Sequence, residues 1–128
     1  MINEENLTLE TFNKNINKLE KSVRRIVINN KTYGTGFLME LEKENAPFYC
    51  LITMGHIISE DLIENNTEIE ILYSQNTINE ILKIKLNENE RFIRNYGYLG
   101  VDATAIQIFP EKNEINKKFF SKMIMWKY

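Results

Sequence analysis

The chain has 128 residues, 43% hydrophobic and 27% charged, with a net charge of −2. That length fits one ordinary domain with its own core. A single cysteine excludes an internal disulfide, a single histidine leaves no metal-ligand spacing, and interspersed charges leave no basic face for phosphates. No cofactor is expected, and "GTG" at 34–36 lacks the helix and lysine of a phosphate loop.

Taken from the N-terminus, residues 5–21 read as a helix. Leu9, Phe12, Ile16 and Leu19 recur at steps of three and four, and Thr8 is placed to cap it. So short a helix needs something to dock on, and this stripe reads as a docking face for the rest of the chain. The period then becomes strand-like. "VRRIVIN" is β-branched and short, and "TYGTGFLMEL" carries two glycines near its start. "KENAP" reads as a polar turn ended by Pro47. "FYCLITM" is nearly continuous in apolar character, as in a strand covered on both faces. "SEDLIENN" reads as a helical turn capped by Ser59. "EIEILY" alternates, and "ILKIKL" puts Leu82, Ile84 and Leu86 on one side with Lys83 and Lys85 on the other. The stretch "NENERFIRNYGYLG" reads as a polar loop whose Phe92, Tyr96 and Tyr98 are placed to pack over the sheet. "VDATAIQIF" is a sixth strand stopped by Pro110. The remaining "EKNEINKKFFSKMIMWKY" is amphipathic without a clear period.

Six short strands separated by turn signals predict a mainly β fold, a closed antiparallel barrel or a sandwich. Gly34 and Gly36, read as corners where strands bend sharply, favour a six-stranded antiparallel β-barrel with an N-terminal helix. Three units are expected: a helical extension over 1–21, the barrel over 22–110, and a tail over 111–128. The N-terminus has no apolar core of a signal peptide. With one cysteine, this fits a reducing, cytoplasmic setting. No apolar run approaches the roughly 20 residues that span a bilayer. Neither a membrane nor nucleic acid is an expected partner.

A lone histidine at a strand end is by itself an ordinary loop residue. The surrounding order of features changes that reading. Gly34-Thr35-Gly36-Phe37-Leu38 comes first. Leu51-Ile52-Thr53-Met54-Gly55-His56-Ile57 follows, and Asp102-Ala103-Thr104-Ala105-Ile106 comes after two more strands. In this order, over roughly residues 22–110, the pattern resembles the first barrel of the trypsin-like (chymotrypsin-fold) serine peptidases. The resemblance implies that His56 is the general base and then the general acid, and that Asp102 orients it. It also marks the tail as the start of a connection toward a missing second barrel. Gly55 departs from the small alanine usual in that family.

The nucleophile has no counterpart here. The family carries it in a Gly-rich turn of the second barrel, which also supplies the oxyanion hole. The residues after Asp102 contain one serine, Ser121, and no glycine. Cys50 lies six positions before His56 in one strand, about 20 Å away at strand rise, and Ser59 is better read as a cap. Two functions follow. One is a half-domain of a serine endopeptidase, inactive alone, whose protein or peptide substrate is handled only once a second barrel completes it. The other is a non-catalytic degenerate β-barrel serving as a protein-interaction module. A half of a two-barrel fold exposes apolar surface, so self-association is expected.

Overall fold

The computed structural model describes residues 21–43, 46–73 and 81–123. Within them lie eight strands: β1 (Val23–Ile28), β2 (Lys31–Lys43), β3 (Ala46–Thr53), β4 (Glu68–Tyr73), β5 (Ile81–Lys85), β6 (Ile93–Asn95), β7 (Thr104–Gln107) and β8 (Ser121–Met123). One α-helix, α1 (Glu60–Glu64), follows β3, with the Ser59 side chain accepting from the Leu62 N–H as its N-cap. The helix expected over 5–21 falls on residues outside the described ones, except Lys21, which lies in a turn.

Local chemistry accounts for the first hairpin. Asn29 and Asn30 both take positive φ, 51° and 64°. This is the left-handed pair that a two-residue hairpin turn demands and that asparagine tolerates. β1 and β2 pair across it, and β2 and β3 pair in turn from Gly36 opposite Thr53 to Lys43 opposite Ala46. Pro47 therefore lies within β3 rather than ending a turn. It is tolerated because β7 pairs with β3 only from Cys50 onward, so β3 is an edge at Pro47.

Seven strands run antiparallel in the order β5-β4-β1-β2-β3-β7-β6, and the sheet curls into a half-barrel around one core. Ile26, Leu38, Leu51, Ile69 and Ile106 are fully buried within it. The alternation expected of "ILKIKL" holds: Ile84 and Leu86 are buried, and Lys83 and Lys85 are exposed. The mainly β expectation is met, but the six-stranded closed barrel is not. Among the described residues no ladder joins the end strands β5 and β6. These two strands are neighbours in sequence. Between them the chain turns at Asn87–Arg91, where the N–H groups of Glu90 and Arg91 both donate to the Asn87 carbonyl. β6 was hidden in a polar loop because only three residues pair, Ile93 to Asn95, and only Ile93 is buried.

The tail is part of the same body. β8 runs parallel to β2 over Met39–Leu41, just past the point where β1 stops pairing at Phe37. β3 holds the opposite edge of β2, so β8 takes the place that β1 leaves. Ile115 and Phe120 join the core, and the Phe120 ring meets Tyr49 edge-on at 4.9 Å. A bidentate pair from Arg91 to Glu114 (3.1 and 2.8 Å) fastens the segment to the turn before β6.

Candidate functional site

The register of β3 and β7 decides where the site forms. The strands are antiparallel with Thr53 opposite Thr104. The chain leaving β3 after Thr53 and the chain entering β7 before Thr104 therefore share one rim of the sheet. His56 lies three residues beyond the first point and Asp102 two residues before the second. Past Thr53 the backbone folds tightly, with the N–H groups of Ile57 and Ile58 both donating to the Met54 carbonyl. That turn swings the imidazole toward the incoming strand.

His56 and Asp102 meet there through two hydrogen bonds. The His56 ring Nδ1 lies 2.7 Å from Asp102 Oδ2, and the His56 backbone N–H donates to Oδ1 at 2.9 Å. One carboxylate thus holds both the ring and the main chain of the histidine. The hydrogen bond from the His56 ring holds the Asp102 carboxyl below the ordinary carboxylate range, and the backbone bond adds to this. An ionised carboxylate can only accept, so in the neutral ring the proton sits on Nδ1. The lone pair is left on Nε2. Among the described residues nothing hydrogen-bonds Nε2, and the imidazole side chain is 62% exposed. A base in the right tautomer, open to an incoming proton donor, is what this arrangement supplies.

No protein-family model, no curated protein and no solved structure matches this chain.

The candidate nucleophiles lie elsewhere. Cys50 is fully buried in β3, and burial pushes its thiol up to about 11, which suppresses the thiolate. Ser59 is engaged as the α1 cap. Ser121 shares a hydrogen bond with the hydroxyl of Ser22 beside β2. None of the three hydrogen-bonds His56. Among the described residues, no group of three or more His, Cys, Asp and Glu side chains could hold a metal ion, and no helix is long and apolar enough to cross a membrane.

Two residues that sequence reasoning missed support the pair from behind. Asn95, at the end of β6, sends Nδ2 to the carbonyls of Gly55 (2.9 Å) and Ile58 (3.1 Å) and to Thr104 Oγ1 (3.0 Å). Its Oδ1 accepts from the Gly97 N–H at 2.9 Å. Thr104, fully buried, donates its hydroxyl to the Ile58 carbonyl at 2.8 Å. The only sequence signal for Asn95 was the Asn-x-Gly pattern of a side-chain-closed turn. Nothing in that pattern points across the fold to residue 56.

Gly55 is buried beside the pair. A Cβ there would sit 3.1 Å from both Asp102 Oδ1 and the Ala103 nitrogen. A glycine here leaves room for the close approach of the 102–103 segment. Around the rim several apolar residues face solvent: Phe37, Met54, Tyr98, Leu99 and Val101. Of the loop aromatics, Phe92 meets Phe48 edge-on and Tyr96 stacks against Tyr98.

Proposed function

We propose that this chain is the His- and Asp-bearing half of a trypsin-like serine endopeptidase. His56 takes the proton of an attacking serine hydroxyl through Nε2 and returns it to the leaving amine. Asp102 fixes the Nδ1–H tautomer and stabilises the imidazolium that forms between the two steps. The observation that carries this reading is the double grip of Asp102 on His56, through the ring and through the backbone. The strand ends that bring the two together lie within the two motifs that carry the resemblance, 51–57 and 102–106. The nucleophile and oxyanion hole are to be supplied by a second barrel. Without a nucleophile, turnover falls on the order of 10⁶-fold, so residues 1–128 alone should not cleave peptides.

The test is complementation. Joined to a trypsin-like second barrel carrying a serine elbow, the chain should gain labelling by a fluorophosphonate, and His56→Ala should abolish that labelling. Labelling unchanged by His56→Ala would remove the role assigned to His56.

One observation favours the interaction-module reading as the alternative: the exposed Phe37, Met54, Leu99 and Val101 around the rim. Exposed apolar side chains that join into one patch mark a face for another protein. Sedimentation distinguishes the outcomes, since concentration-dependent association is expected and a stable monomer at high concentration would count against an exposed half-interface.

A further inference from the structure

We infer that Asn95 is a positioning residue for the His56–Asp102 pair, with Thr104 as its relay. The inference rests on the reading of those two side chains as a working pair. Its basis is where the Asn95 carboxamide reaches. Gly55 and Ile58, whose carbonyls it holds, bracket His56 by one residue before and two after. Thr104, which it also holds, lies two residues after Asp102. The same side chain closes the turn that begins the 96–101 loop, through the Gly97 N–H. One amide thus fixes the turn that presents the imidazole and the strand that presents the carboxylate.

The contacts share a logic. The peptide carbonyls of Gly55 and Ile58 sit on the turn where the chain leaves β3, and that turn has only short-range backbone bonds of its own to Met54. Two donors from outside the turn set its orientation relative to the sheet. Thr104 Oγ1 both receives from Asn95 and donates to Ile58, so β6, β7 and the histidine turn meet at a single polar node. A partly buried network of this kind holds its geometry best while every member is satisfied. Asn95 serves it with both ends of its amide, the NH₂ toward the pair and the carbonyl oxygen toward its own loop. The separation of His56 Nδ1 from Asp102 Oδ2 depends on how the two backbone segments are spaced. Asn95, lying in neither segment, ties them together beside the direct bonds from Thr104 to Ile58 and from the His56 N–H to Asp102. Asn95 touches neither reacting ring atom, so its effect runs through position alone.

Ring-nitrogen NMR on the intact chain tests this, and the single histidine makes the signal unambiguous. In the neutral ring the nitrogen shifts report which nitrogen carries the proton. The unaltered chain should show mainly the Nδ1–H tautomer, and Asp102→Asn should move it toward Nε2–H. Asn95→Asp keeps the oxygen that accepts from Gly97 and removes the donors to Gly55, Ile58 and Thr104. It should shift the ring toward Nε2–H while a thermal melt still shows a folded chain. Should that variant fail to fold, Thr104→Val withdraws the hydroxyl from the same node and carries the measurement. A purely structural role would lower the melting temperature and leave the tautomer ratio where it was. If Asp102→Asn moves the ratio and the Asn95 and Thr104 variants do not, the positioning role is overturned while the pair stands. If the unaltered chain already favours Nε2–H, the pair itself is absent and both readings fall.

Discussion

Asp102 is more than half exposed yet accepts two hydrogen bonds from one residue, so its protonation state governs the rim. Its folded-state carboxyl titrates below the ordinary value of 3.8. A depressed carboxyl contributes stability that is fully present above the unfolded value and is lost as pH falls through the folded one. Urea denaturation of the chain and of Asp102→Asn should therefore differ at neutral pH. The gap should close as pH drops below about 4, the ordinary carboxylate range. A gap of constant size down to the acid limit would mean that the ionised carboxylate is not what the contact depends on. Cys50 shows the opposite case, a titratable group kept inert by its place in β3. Sequence spacing already sets Cys50 apart from His56 along one strand, but no spacing rule states that a curled sheet will enclose its thiol.

At the scale of elements, the close approach of β2 and β3 explains a residue choice that looked like a barrel corner. Gly36 is buried, and a Cβ there would come within 2.9 Å of Leu51 Cδ1 and 3.1 Å of the Ile52 carbonyl. Leu51 fills the centre of the core and cannot retreat without displacing others. Gly36→Ala should cost about 1–3 kcal/mol by overpacking, read as a lowered urea midpoint with an unchanged slope. An unchanged midpoint would show that the two strands can separate there without loss. The strands themselves were legible wherever alternation or a β-branched run was long enough to count, as in β1, β3, β4 and β5. β6 and β8 were not. Each has only three residues, too few to show a pattern; β6 is held by β7 across the 96–103 loop, and β8 by β2 from a distant part of the chain.

The whole molecule is tied together by a segment whose sequence carried no clear period. Residues after Pro110 return to the sheet through Ile115, Phe120 and β8. They are pinned by the Arg91–Glu114 pair, whose side chains are only 9% and 14% exposed. Glu114 Oε1 also accepts from the Phe109 N–H at 2.7 Å. Glu114→Ala would leave a nearly buried guanidinium without its partner carboxylate. It should destabilise the fold by about 3–5 kcal/mol, while a loss near zero would mean that the tail is only loosely held. Mainly β character could be anticipated from alternation and turn residues, and the meeting of His56 with Asp102 only from what the resemblance carried by the quoted motifs implies. The supporting node of Asn95 and Thr104 could not, since it depends on the register of β3, β6 and β7 together. That register also makes the central claim measurable in one experiment. Carbon-13 titration of the Asp102 carboxyl should give a midpoint below the ordinary carboxylate value in the unaltered chain and a higher one, nearer that value, in His56→Ala, which keeps only the backbone hydrogen bonds. The same midpoint in both proteins would mean that histidine and aspartate do not share the rim as a pair.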